Sequence, residues 1–311
     1  MQVGSVTSNV SQSVGAVYSG DFTNPVLYSV TGYEQVFLNA TDGTQQVGGG
    51  FLNGAVFPQG SDNPYRALVF SGSAASFVDL TPTGAYSALA NAVDGGQQGG
   101  FVEVSLGSPR HPALWAGTAA SFKDLLPSGA LQGNVRDIKN GVQAGSVQPS
   151  GSADTIRHAA IWSGSLATFV DKNPSGYQYS SIAAIVKGGF VGVGLPNGVT
   201  IGSDSISYLL HALLWTGNKV VDLNPAGKEA SAALAGSGTM QVGLYYDPIG
   251  ANGFPHACMW KGSATSFVDL QSYLPGIYPY SEAHSVVGNK IYGYAYDSSL
   301  DNAVAVEWTL S

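Results

Sequence analysis

The chain has 311 residues, of which only 10% are charged while 42 are glycine, and its formal net charge is −8. A chain this acidic has nothing to neutralise phosphates in bulk, which argues against a nucleic-acid partner, and no apolar run of about eighteen residues supplies a membrane helix. Apolar residues at 44%, set in regular strand patterns, argue for a packed protein rather than a disordered one.

Cys258 is the single cysteine, so no intramolecular disulfide is possible. It sits in an apolar strand and is expected to be a buried, inert thiol. Strand-like sequence begins within a few residues of Met1 with no leader pattern. The expectation is a secreted or cell-surface chain whose leader lies outside this sequence.

Seven short strand-like runs each carry a glycine: Gly15, Gly54, Gly99, Gly145, Gly192, Gly243 and Gly293. An all-strand repeat with a period of roughly 40 to 50 residues marks a β-propeller, one blade per repeat. The reading is one all-β domain over 1–311, a seven-bladed β-propeller of four-stranded blades. The blades fall at about 1–40, 41–83, 84–128, 129–175, 176–226, 227–274 and 275–311.

In chain order, blade 1 offers Asn24-Pro25-Val26-Leu27-Tyr28 as its third strand. Blade 2 has Arg66-Ala67-Leu68-Val69-Phe70, then Phe77-Val78-Asp79-Leu80 and the turn Pro82-Thr83-Gly84. Blade 3 opens on the small-residue segment Tyr86–Val93, continues through Gln98-Gly99-Gly100-Phe101-Val102 to His111-Pro112-Ala113-Leu114-Trp115, and ends on Asp124 and Pro127-Ser128-Gly129. Blades 4, 5 and 6 repeat the third strand as His158–Trp162, His211–Trp215 and His256–Trp260, with Asp171, Asp222 and Asp269 in the fourth. Blade 7 offers Asn302–Val306, and its end at Glu307-Trp308-Thr309-Leu310-Ser311 leaves room for three strands or implies a displaced element. Blades are wedges, so the innermost strands carry Gly, Ala and Ser and the outer ones fill the wider gap with Leu, Phe and Trp. Proline and glycine in the Pro-x-Gly turn suit the crossing to the next blade.

The His-x-x-x-Trp strands, the Asp-Leu strands and the glycine strands resemble the bacterial extracellular repeats of the HAF family. The resemblance covers nearly the whole chain and is strongest from about 65 to 270; blades 1 and 7 lack its His and Trp. It implies export and no particular chemistry, and it carries over no catalytic residue.

His111, His158, His211 and His256 occupy the same place in successive blades. Equivalent places lie around a ring far too wide for one metal, whose bonds to nitrogen are about 2.0–2.1 Å. They are expected to be structural, bonding backbone or the repeated aspartates, and neither a metal site nor a cofactor is expected.

Function should be sought where the repeat breaks. Loops between second and third strands, which share a face with the blade-to-blade crossings, gather Asp62 and Tyr65 in blade 2 and Asp204 and Tyr208 in blade 5. The crossing into blade 7 adds Tyr278 and Tyr280. Aromatic rings for stacking and short polar groups for hydroxyls suit carbohydrate recognition, which makes a saccharide or another extracellular protein the expected partner.

Innermost strands offer a second break. Stepping back a fixed distance from each repeat glycine gives Val6, Gln45, Ala90, Arg136, Ala183, Leu234 and His284, and two residues further back blade 7 carries Glu282. At the axis, His284 could take a proton, Glu282 orient it and Arg136 stabilise negative charge, as in elimination from an acidic sugar. Three readings therefore stand: a carbohydrate-binding protein of the cell exterior, a polysaccharide-degrading lyase or glycoside hydrolase, or a structural unit of an extracellular assembly whose free sheet edges promote packing.

Overall fold

The computed structural model describes residues 2–7, 13–18, 24–54, 64–201, 206–247 and 253–310. They form seven antiparallel sheets, each a meander in chain order, in an all-β, seven-bladed β-propeller. No helix among them is long and apolar enough to cross a membrane.

The first sheet holds β1 (Gln2–Thr7), β2 (Ser13–Tyr18) and β3 (Val26–Tyr28). The second holds β4 (Tyr33–Thr41), β5 (Gln46–Leu52), β6 (Arg66–Phe70) and β7 (Val78–Asp79), and the third β8 (Ser87–Asp94), β9 (Gln97–Glu103), β10 (His111–Trp115) and β11 (Lys123–Asp124). The fourth holds β12 (Ala130–Lys139), β13 (Val142–Pro149), β14 (His158–Trp162) and β15 (Val170–Asp171). The fifth holds β16 (Tyr177–Val186), β17 (Gly189–Pro196), β18 (His211–Thr216) and β19 (Lys219–Asp222). The sixth holds β20 (Ala230–Ser237), β21 (Met240–Tyr246), β22 (Pro255–Trp260) and β23 (Val268–Asp269). The seventh, three-stranded like the first, holds β24 (Ser281–Val287), β25 (Lys290–Asp297) and β26 (Asn302–Thr309).

Three details differ from the sequence reading. Residues 33–40, grouped above with the first blade, form most of β4, the first strand of the second sheet. Gly54 is a turn glycine at φ +69°, and the glycine that repeats inside the second sheet is Gly48. Blade 7 does carry the tryptophan: Trp308 pairs with Ile291, two places beyond the partner of Gly293, as Trp260 pairs with Gln241 beyond Gly243.

The repeat glycine has a steric cause. A Cβ on Gly48, Gly100, Gly145, Gly192, Gly243 or Gly293 would be driven into the carbonyl oxygen of Phe37, Leu89, Asn134, Ser181, Ala232 or Glu282 on the adjoining first strand. At each of these places the first strand carries one extra residue, a β-bulge, shown by the register shifts after Leu38, Ala90, Val135, Ile182, Ala233 and Ala283. The bulge bends the first strand and turns its carbonyl onto the second.

The link between third and fourth strands is also repeated. In Ser73–Phe77, Thr118–Phe122, Ser165–Phe169 and Ser263–Phe267 a single 3-10 turn ends in phenylalanine. The hydroxyls of Ser76, Ser121, Thr168 and Ser266 each accept a backbone N–H five residues back and donate to a carbonyl three residues back. The buried amides of Gln46, Gln98, Gln143 and Gln241 accept the N–H of Gly72, Gly117, Gly164 and Gly262 beside those turns, at 2.7–3.0 Å. Blade 5 replaces the turn by a tight hairpin at Gly217, and there Phe190 stands at the glutamine place. The glutamine accompanies the turn whose glycine N–H it accepts, and blade 5, which lacks the turn, lacks the glutamine.

The repeated histidines meet the repeated aspartates. Nδ1 of His111 lies 2.6 Å from Asp124, and Arg66 takes the same role toward Asp79 at 2.8 Å. His256 departs, facing the Tyr245 hydroxyl at 3.2 Å. Cys258 is fully buried, and desolvation raises its thiol pKa well above the ordinary value.

The chain divides into two compact units, Met1–Ser152 with Ala160–Asp171, and Ala153–Ala159 with Lys172–Ser311. In the first, Trp115 packs with Val47, Val69 and Leu80, Trp162 packs with Leu114 and Leu125, and Tyr28 packs with Leu38 and Phe70. In the second, Trp260 packs with Val191, Leu214 and Leu223, and Trp308 with Val242, Met259 and Leu270.

Candidate functional site

Blade 7 keeps the bulge and the tryptophan of the repeat and departs from it on one side of its sheet. Ala283, Val286 and Ile291 pack on Val242, Ala257 and Met259 of blade 6. Side chains alternate along a strand, so Glu282 and Tyr294, direct partners in the β24–β25 register, share the opposite side. Tyr280 and Tyr296 continue it, with the Tyr296 N–H donating to the Tyr280 carbonyl at 3.0 Å.

His284 is the extra residue of the β24 bulge. Its counterparts in the other bulged strands are Asn39, Asn91, Arg136, Ala183 and Leu234. Asn39 and Asn91 thus stand where the sequence count put Gln45 and Ala90. Both bond the next blade of the first unit, Asn39 to the Ala90 carbonyl at 3.0 Å and Asn91 to the Val135 carbonyl at 3.0 Å.

The ring of His284 stacks on Tyr294 with centroids 5.5 Å apart, and its Nε2 lies 2.8 Å from Oε2 of Glu282. The Tyr294 hydroxyl donates to the same carboxylate. Burial alone would raise the Glu282 pKa, but the bonds from His284 and Tyr294 outweigh it and hold the carboxyl below its ordinary value. Tyr294 moves up, through burial and then the carboxylate it bonds, and Tyr246 at the end of β21 moves up through burial, Glu282 and Tyr208.

Beside this pair the rings of Phe254, Tyr280 and Tyr296 form a stack, with centroids 5.1 and 4.8 Å apart and interplanar angles of 18° and 9°. The Tyr296 hydroxyl donates to Asp301. Tyr208, from the loop before β18, meets Tyr246 edge-on at 4.9 Å. The second unit therefore holds a run of aromatic rings next to an ionised carboxylate and a histidine. Such a surface can stack against a flat apolar face and bond polar groups at its rim.

Of the residues singled out in the sequence, Tyr208, Tyr280, Glu282 and His284 fall in this group. Tyr278 precedes β24, with its carbonyl accepting from Gln271 at 2.6 Å. Arg136 is the exposed bulge residue of β12 in the first unit, while the partners of Glu282 are His284 and Tyr294. Tyr65 also belongs to the first unit, where it packs with Phe37 and Phe51. Asp62 and Asp204 lie outside the described residues. Phe254, Tyr294 and Tyr296 were missed; the signal for the two tyrosines was the alternation Tyr292, Tyr294, Tyr296, which no other second strand carries. No group of three metal-ligating side chains occurs among the described residues.

The chain matches no protein-family model and no curated protein. Among solved structures it is similar to the propeller domain of puromycin hydrolase. One, a serine-to-alanine mutant complexed with PGG, gives a TM-score of 0.61 at 11% identity over 99% of this chain and 50% of that one. Another puromycin hydrolase structure gives 0.57 at 11% over 97% and 51%. The chain spans about half the length of both, and at this identity the likeness shows the fold alone.

Proposed function

We propose that the chain is an exported, carbohydrate-binding β-propeller of the HAF-repeat kind, which holds a saccharide against the aromatic side of its second unit. The stack of Phe254, Tyr280 and Tyr296 carries this reading. Sugar rings present flat C–H faces that pack on aromatic faces, while hydroxyls need nearby acceptors and donors. Glu282, His284 and Asp301 supply those beside the stack. The HAF-like His and Asp of the repeat are joined within blades, at His111–Asp124 and His211–Asp222, which supports reading them as a structural signature rather than a site.

A panel of neutral and acidic polysaccharides tests this, with retention and new reducing or unsaturated ends followed together. The expected result is retention that is lost in Tyr280→Ala, without new ends. Absence of retention across the panel would overturn it.

One observation favours a second reading, polysaccharide cleavage: the His284–Glu282 contact of 2.8 Å is the geometry of a base held by a carboxylate. A Glu282 carboxyl held below its ordinary pKa is unsuited to act as a general acid, so this reading favours a lyase over a glycoside hydrolase. New unsaturated ends that vanish in His284→Ala would establish it.

A further inference from the structure

The aromatic side of blade 7 is a site with a sign. Glu282 is largely buried, its side chain 17% exposed, and its two partners are a histidine and a phenol, neither a permanent cation. An ionised carboxylate offers about four acceptor positions, so two donors leave capacity for another. The other charges of this region are already engaged. Lys228 pairs with Asp247 and lies over the Tyr245 ring, Asp301 takes the Tyr296 hydroxyl, and Asp297 binds the Ser299 and Leu300 amides of its own loop. The rings add to the same sign, because aromatic faces are the negative part of the ring quadrupole.

We propose that Glu282, with the rings of Tyr246 and Tyr294, forms a subsite for a sugar bearing a free ammonium group, a hexosamine that is not N-acylated. This rests on the saccharide reading above and narrows it. A largely buried carboxylate without a fixed counter-cation is compensated best by a ligand that brings one. Aromatic rings around a carboxylate suit an ammonium in two ways, by charge-assisted hydrogen bonds and by cation–π contact. Acidic sugars would meet repulsion at this carboxylate.

The test compares trimers of glucosamine and of N-acetylglucosamine by calorimetry on the full chain. Trimers are used because a net charge of −8 attracts any long polycation. The free-amine trimer is expected to bind about tenfold more tightly. Glu282→Gln should abolish that preference by weakening the free-amine trimer more than the acetylated one, and Tyr280→Ala should weaken both. Glu34→Gln, an exposed site in the first unit that changes the net charge equally, should keep the preference.

Equal affinity for the two trimers, or a preference that survives Glu282→Gln, overturns the ammonium subsite and leaves the saccharide reading standing. So does binding of neither trimer alongside retention of a polysaccharide. No binding to any saccharide removes both. Should Glu282→Gln fail to fold, Tyr294→Phe carries the test: freeing the carboxylate from its hydroxyl donor should raise the preference for the free amine, and a preference that stays the same or falls overturns the subsite.

Discussion

Nδ1 of His211 stands 2.7 Å from Oδ2 of Asp222, and that oxygen also accepts the Tyr177 hydroxyl at 3.1 Å. The other oxygen, Oδ1, takes the Asn224 N–H at 2.8 Å. One carboxylate thereby ties the first, third and fourth strands of blade 5 to the turn that leaves it. The outer strands of four blades are only two residues long, and in blade 5, where β19 has four, the His–Asp contact fastens the last residue of the outer strand to its neighbour.

Asp222 gives a pH-dependent prediction. Burial pushes its pKa up, but the bonds from His211, Asn224 and Tyr177 and the charge of His211 bring it below the ordinary 3.8. A depressed folded-state pKa means that this stability is present above the unfolded value and is lost as pH falls through the folded one. Asp222→Asn should therefore lower the melting temperature near neutral pH, with the gap to wild type closing below 3.8. The side chain is 40% exposed, so solvent screening limits the effect to about 1 kcal/mol. Melting curves across acid pH check it, and a gap that stays constant would be the wrong result.

The bulge glycines predict a large difference between two identical substitutions. At Gly145 a methyl group meets the Asn134 carbonyl, which is backbone and cannot swing away, whereas at Gly276 it meets nothing within 4 Å. Gly145→Ala should cost about 3 kcal/mol as an overpacking defect, and Gly276→Ala should be close to neutral. Urea unfolding of both variants measures the contrast.

The repeat was legible because wedge-shaped packing and the bulge each demand one residue type, so Gly, Trp and Asp recur at fixed places. Its phase was less legible. A glycine in a turn and a glycine under a bulge carbonyl look alike in a string, which is why Gly54 stood in for Gly48, and of two adjacent strand glycines the string does not say that Gly100 rather than Gly99 faces the bulge. Bulges were invisible, since one extra residue leaves the apolar pattern almost unchanged. Trp308 escaped because β26 runs three residues past the segment taken as the strand. For the site, Tyr208 and Tyr280 were legible as loop aromatics, and Glu282 and His284 as charges in columns where the other blades carry only Arg136. Phe254 and Tyr296 were not, because their meaning lies in contacts between loop and strand ends far apart in sequence.

Buried glutamine supplies a third prediction. Gln143 accepts from Gly164 at 2.7 Å and donates to the Gly141 carbonyl at 3.0 Å. Gln143→Leu keeps the bulk but removes the partners of the half-buried Gly164 N–H and of the Gly141 carbonyl, whose residue is exposed and can turn to water. We expect a loss of about 1 kcal/mol in urea unfolding, and faster hydrogen exchange at Gly164 than in wild type.

Phe254 separates binding from folding. It caps the ring stack and remains 43% exposed, so removing its ring exposes little buried surface and should shift the melting temperature only slightly. Its free face is nevertheless the part of the stack open to a sugar, because the faces of Tyr280 are taken by Phe254 and Tyr296. Phe254→Ala should weaken saccharide binding about threefold to tenfold, the size of one aromatic stacking contact. Tyr296→Phe keeps the ring and loses only the bond to Asp301, so it should bind within about twofold of wild type. Calorimetry on both variants with one retained saccharide checks the pair. Equal loss in the two would put the contact at the hydroxyl end of the stack and not on its open face.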